Sequence, residues 1–225
     1  MAGLAERLVQ TRQQISEECA RLQRSEPMLI VVTKNHSIDL AEDLYDLGER
    51  DFGENRVQEA LPKFQQFTES GTRLDARWHL IGQLQTNKVK SALDFASSIH
   101  SLDRLSLLNE LIKRTEVREM PLDVFIQVNL TRDPGRGGIE LNEVMQFADQ
   151  IVEAPKLQLK GLMAVASLEN SAERDFEIVA KLSQRLVTEH PKANSLSIGM
   201  SGDYLEALSY GATHLRIGTA ITGNR

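Results

Sequence analysis

Residues 28–44 read MLIVVTKNHSIDLAEDL: five apolar residues, Thr33, Lys34, a short polar turn, and then a helical pattern. An apolar run of this kind is what a strand covered on both faces looks like, and a helix directly after it opens a parallel-sheet unit. The run ends in a lysine, the residue type least willing to be buried. Lys34 has either reached water at the strand end, its long stem carrying the ammonium outward, or is a carbonyl-reactive amine shielded enough to lose its proton.

The same unit recurs along the chain. Strand-like runs are predicted over 28–33, 51–54, 77–82, 98–102, 122–130, 159–166, 195–200 and 214–219, and the segments IVV, VFIQV and GLMAVA are nearly continuous apolar runs. Helical patterns are predicted over 38–47, 57–67, 88–93, 103–117, 141–152, 176–189 and 204–210. In the segment 141–152, Val144, Phe147, Ala148 and Ile151 supply one apolar face. Eight strands alternating with helices predict an α/β protein, a (β/α)8 barrel. The final TAITGNR leaves little room for an eighth helix. An amphipathic helix over 3–24, with Leu4, Leu8, Ile15, Cys19 and Leu22 at helical spacing and Thr11 in the gap, is expected to cover that surface. With no linker or internal repeat evident, residues 1–225 are expected to form a single domain.

Lys+Arg 26 against Asp+Glu 32 gives a net charge of -6, which argues against a broad footprint for nucleic acid or an anionic membrane. Cys19 is the only cysteine, so no internal disulfide forms, and a cytoplasmic location is expected. The N-terminal MAGLAERLVQTRQQ is charged throughout and reads as neither signal peptide nor membrane span. His36, His79, His100, His190 and His214 form no close metal-ligand spacing, and no metal is expected. The PGRGGIE stretch at 134–140 lacks the spacing of a nucleotide loop and reads as a turn.

A barrel gathers its chemistry at the C-terminal strand ends, and strands 7 and 8 commonly supply a phosphate site. Lys34 falls at that end of strand 1. Strand 7 runs into Ser201 and Gly202, where Asp203 is expected to cap the next helix with Glu206 completing a capping box. That would leave the Ser201 hydroxyl and nearby N–H groups for an anion. Strand 8 adds Gly218 and Thr219. Alternation along the strand points Arg216 into the barrel, where its guanidinium needs an anion, an aromatic acceptor, or an interior carboxylate such as Glu54. Glu59 reads as a solvated helix position. An amine, an arginine and a phosphate cradle at one rim fit pyridoxal 5'-phosphate (PLP), with the lysine forming the Schiff base.

In this respect VVTKNHS, FGENRVQEA, WHLIGQLQTNK, GLMAVA, LSIGMSGDYLEAL and HLRIGTAITG resemble, in order, segments of the YggS/PROSC family, the pyridoxal phosphate homeostasis proteins. The resemblance implies a monomeric barrel of the alanine racemase N-terminal type (PLP fold type III), carrying PLP as an aldimine on Lys34. It also implies phosphate contacts from Ser201, Gly218 and Thr219, Arg216 facing the pyridine nitrogen, Asn55 and Met163 lining the cofactor pocket, and His79 nearby; Gly202, beside Ser201, is counted with the cofactor-binding residues. The sequence departs from the family pattern at Thr33, where serine is usual, at Gln83 in place of a proline, and at PGRGGIE in place of a Lys-Ser-Gly stretch.

A guanidinium beside the pyridine nitrogen disfavours its protonation and leaves a poorer electron sink. Racemases of the related type also have a second, β-rich domain and a tyrosine as the opposing acid/base. This chain stops just after strand 8, and Tyr45, Tyr204 and Tyr210 fall in predicted helices. The expected role is therefore a PLP carrier or buffer in vitamin B6 homeostasis, affecting amino-acid metabolism and able to hand the cofactor to PLP-dependent apoenzymes, with no catalytic residue assigned. The alternatives are a weak amino-acid racemase, a Schiff-base aldolase or phosphosugar barrel, and a regulatory protein that senses the cofactor.

Overall fold

The computed structural model describes residues 3–69, 71–131, 137–167 and 169–223. Eight parallel strands close into a barrel in sequence order: β1 (Met28–Val32), β2 (Asp51–Glu54), β3 (Arg77–Leu80), β4 (Ala96–Leu102), β5 (Leu122–Gln127), β6 (Leu157–Met163), β7 (Ser195–Ser197) and β8 (His214–Ile217). The helices are α1 (Leu4–Arg21), α2 (Ile38–Asp46), α3 (Val57–Thr68), α4 (Val89–Leu93) after a 3-10 turn at Thr86–Lys88, α5 (Leu105–Thr115), α6 (Val144–Val152), α7 (Ala172–Glu189), α8 (Tyr204–Ser209) and α9 (Thr219–Thr222). This is the (β/α)8 barrel that the alternating pattern predicts. Among the described residues, no helix is long and apolar enough to cross a membrane.

The seam that closes the barrel joins β1 to β8, with Met28 opposite His214 and Val31 opposite Ile217. A single turn, α9, follows β8, and α1 lies over the seam in place of a full eighth helix. Leu8, Thr11, Ile15 and Cys19 form its buried face. Arg7 donates from Nε to the Ile221 carbonyl at 2.7 Å and from Nη2 to the Thr222 carbonyl at 3.2 Å, which ties α1 to α9. On the other flank Arg12 forks onto both carboxylate oxygens of Glu49, at 2.7 Å each.

Between the strands and α3, Phe52, Phe67 and Trp78 pack with ring centroids 5.5–5.6 Å apart, all fully buried. Such aromatic contacts add about 1 kcal/mol each beyond the area they bury. Inside the barrel the space is tight: a Cβ on Gly53 would lie 3.0 Å from Ile30 Cγ2 and 3.2 Å from Ile81 Cδ1.

Several strands end earlier than the apolar pattern predicts. The run 195–200 leaves the sheet after Ser197, because Gly199 adopts φ +91° and the Asp203 carboxylate takes the Met200 N–H at 2.6 Å. The run 214–219 stops at Ile217, and Thr219 opens α9 instead. The run 122–130 stops at Gln127, after which Val128 makes an isolated bridge to Ile139. These residues are apolar or small enough to read as strand, yet their backbone turns to build the mouth of the barrel.

Gly161, in β6, has φ +148°, and a Cβ there would fall 1.8 Å from the Ser195 carbonyl oxygen of β7. Gly161→Ala therefore cannot be accommodated without parting two barrel strands. It is expected to lower the unfolding free energy by about 3 kcal/mol or more, read as an earlier midpoint in urea denaturation.

Candidate functional site

The site begins where β1 runs out. Thr33 still pairs with the neighbouring strand, its N–H donating to the Gly53 carbonyl at 3.0 Å. Lys34 follows and is exposed, and Asn35 then takes the left-handed conformation at φ +60°. A non-glycine residue there is uncommon, and asparagine is among the residues that tolerate it best. The turn closes with the His36 N–H donating to the Thr33 carbonyl at 3.2 Å.

Beneath the turn lies a buried ion pair. Lys63, on the inward face of α3, donates to Glu54 Oε1 at 2.5 Å and to the Thr33 carbonyl at 2.9 Å. The Thr33 hydroxyl donates to the same Glu54 oxygen at 2.7 Å. Glu54 is 0% exposed and Lys63 8%. Removing one member of such a pair strands the other charge and costs about 3–5 kcal/mol. Glu54 is thus a strand-end pair partner, but to Lys63 and not to Arg216.

Across the seam, the Ser201 hydroxyl oxygen accepts from the Gly218 and Ala220 backbone N–H groups, both at 3.2 Å. The capping box expected at Asp203 does not form. Asp203 precedes α8, but its carboxylate turns back to Met200 and makes no bond into the helix. Burial raises the Asp203 pKa, against the opposing pull of that backbone bond and of Arg216. The Ser201 hydroxyl does not cap α8; it is engaged instead at the start of α9.

An open cavity of about 280 Å³ at this rim is lined by Val32, Lys34 and His36 from the β1 side and by Gly218, Thr219 and Thr222 from the β8 side. Lys34, Gly218 and Thr219 therefore meet in one space, with Ser201 hydrogen-bonded to its wall. Asn55, His79, Met163, Gly202 and Arg216 do not line it. Asn55 follows β2 and lies against Gly82, Met163 is buried at the end of β6, and Gly202 lies exposed in the loop before α8. In PGRGGIE, residues 134–136 lie outside the described residues.

Arg216 points into the barrel, 3% exposed. Its Nη1 donates to the Ser197 carbonyl at 2.6 Å and hydroxyl at 2.7 Å, and its Nη2 to the Ala164 carbonyl at 2.9 Å. Burial pulls its pKa down to about 10, partly offset by Asp203, so it stays charged at neutral pH. From Ser197 the polar contacts continue across the barrel. His100 Nδ1 pairs with the Ser197 hydroxyl at 2.9 Å, the Ser98 hydroxyl lies within 3.0 Å of His100 and 2.7 Å of His79, and His79 Nε2 reaches Asp51 at 2.9 Å. His100 also stacks on Phe125, with centroids 4.2 Å apart. Of this layer the sequence singled out only Arg216 and His79; the signal for the rest is the alternation that sets Ser98 and His100 two residues apart in β4, both buried.

The alanine racemase N-terminal domain family matches residues 9–225. The pyridoxal phosphate homeostasis protein of Escherichia coli (strain K12) is 36% identical over 230 residues, covering 100% of this chain and 98% of that one. The chain belongs to the pyridoxal phosphate homeostasis protein family. Among solved structures similar to this family member is PipY of Synechococcus elongatus PCC7942 with PLP bound, at TM-score 0.84 and 31% identity, covering 97% of this chain and 99% of that one. Alanine racemase of Corynebacterium glutamicum is similar in fold alone, at TM-score 0.74 and 14% identity, with 97% of this chain matching 59% of the racemase.

The histidines of this homeostasis family member give the barrel a pH dependence. Burial, then the charges of His79 and Lys160, depress the His214 pKa to about 4, and burial holds His100 well below its ordinary value. Between pH 6.5 and 4 the unfolded chain therefore takes up a proton at His214 that the folded chain refuses. This contribution to stability is complete above pH 6.5 and is lost as the pH falls through that window, by about 3 kcal/mol at most. Urea unfolding at pH 7 and pH 4.5 should show the loss, and His214→Gln should reduce it while leaving the share of His100.

Proposed function

We propose that this chain binds PLP covalently, as a Schiff base on Lys34, and serves as a carrier and buffer of the cofactor in vitamin B6 homeostasis. The observation that carries the reading is the shared cavity: an amine from the end of β1 and the Gly218–Thr219 backbone from the end of β8 face one space of about 280 Å³. That volume is near the lower end for small-ligand sites, about 300 Å³, and the donor set suits the group. The aldehyde would condense with the Lys34 amine, the carbonyl oxygen leaving as water. Ser201, Gly202, Gly218 and Thr219 would hold the phosphate, with the Gly218 and Ala220 N–H groups redirected from the Ser201 hydroxyl to the anion.

Arg216 is assigned to the pyridine-nitrogen side, with Asn55 and Met163 completing the walls and His79 reaching the site through the buried network. A fixed guanidinium charge there would keep the ring nitrogen unprotonated, which weakens the carbanion stabilisation that PLP supplies to amino-acid chemistry. No tyrosine among the described residues lines the cavity. The Tyr45 hydroxyl bonds Asp75 at 2.5 Å and the Tyr204 hydroxyl bonds Gln14 at 2.7 Å, so neither is placed as an opposing acid/base. These features favour holding over turnover. The reading further takes the protein to be a cytoplasmic, single-domain monomer whose recipients are PLP-dependent apoenzymes.

Incubation with PLP should give a visible imine absorption band, and borohydride reduction should fix the adduct on the peptide containing Lys34. Lys34→Ala should abolish the reducible adduct while leaving weaker, non-covalent binding. A chain that acquires no band overturns the cofactor assignment, and rapid turnover of a common amino acid overturns the carrier role.

A further inference from the structure

We infer that Glu54 and Lys63 are positioning residues for the Lys34 amine. The inference rests on Lys34 being the residue that takes the aldehyde.

The polar groups of Thr33 are all committed. Its N–H is held by Gly53 at 3.0 Å, its hydroxyl by Glu54 at 2.7 Å, and its carbonyl by Lys63 at 2.9 Å and His36 at 3.2 Å. On the other side of Lys34, Asn35 is fixed in the left-handed region at φ +60°. The Lys34 backbone is therefore pinned from both directions, which fixes the point from which its side chain sets out.

The composition of the clamp is not what stability alone would select. Lys63 occupies the stripe of α3 that otherwise buries Val57, Ala60 and Phe67, where an apolar residue would pack without desolvating a charge. Glu54 is fully buried, and its Oε2 has no hydrogen-bond partner. A half-satisfied buried ion pair is commonly a poorer solution than apolar residues of the same volume. What the pair does achieve is a hold on both the hydroxyl and the carbonyl of the residue next to the amine. An imine forms quickly only when amine and aldehyde are brought together in the reacting orientation, and small displacements there cost rate steeply.

The variants are Thr33→Val, which deletes the hydroxyl at constant shape, Lys63→Met combined with Glu54→Gln, which removes both charges together, and the conservative Thr33→Ser. Two quantities are measured on folded protein: the rate at which the imine band appears after mixing with PLP, and the affinity for pyridoxine 5'-phosphate, which has no aldehyde. Thr33→Val and the double variant should slow imine formation by about tenfold or more while holding pyridoxine 5'-phosphate within about twofold of the original affinity. Thr33→Ser should restore the rate.

If rate and analogue affinity fall together, the clamp merely shapes the pocket and the inference is wrong. An unchanged rate in Thr33→Val also overturns it, and that variant decides the matter should the double variant not fold. The outcomes separate this inference from the one beneath it: no imine in the unsubstituted protein removes the role of Lys34 itself, whereas a normal imine there with unaffected variants removes only the clamp.

Discussion

The pairing of β1 with β8 is the constraint on which the site depends. These strands are separated by almost the whole chain, and their parallel register sets Val31 beside Ile217. Because both run the same way, the residues that follow them emerge at the same rim. The exposed Lys34 and the Gly218–Thr219 turn are neighbours for that reason alone. Had the sheet remained open, the two would sit on opposite edges, and no arrangement of the loops would bring them together.

The barrel interior is a second constraint, since it holds charge where apolar filling is the rule. Arg216 is kept there by carbonyl oxygens of Ala164 and Ser197, which are neutral acceptors, so its positive charge is solvated without being cancelled. A guanidinium neutralised by a carboxylate would have little field left for a ligand. The diversion of Glu54 to Lys63 matters for the same reason, because it leaves Arg216 without a direct counter-charge.

Much of this could be read from the sequence, and the exceptions have identifiable causes. Nearly continuous apolar runs marked β1, β5 and β6, because burial on both faces leaves a strong compositional mark, whereas β2, with the sequence DFGE, carries no such mark although its predicted bounds match. Thr11 in the apolar stripe of α1 was also legible, and it is 3% exposed. Strand ends were not, since Gly199 and Thr219 leave the sheet through backbone geometry that apolar pattern does not encode. Asp203 illustrates the limit most clearly: its spacing to Glu206 suits a cap, but its carboxylate finds the Met200 N–H first. Lys63 was invisible as a site residue because its partners come from β1 and β2, elements whose packing against α3 no local pattern reveals. The departure at Thr33 is explained by the same contacts, since the clamp uses the hydroxyl, which serine also has.

The embrace of α9 by α1 carries a consequence for rigidity at the rim. Arg7 grips the Ile221 and Thr222 carbonyls from a long helix whose own inner face is buried. The short α9 carries Thr219 and Thr222, both part of the cavity wall, so whatever loosens the outer helix slackens that wall as well.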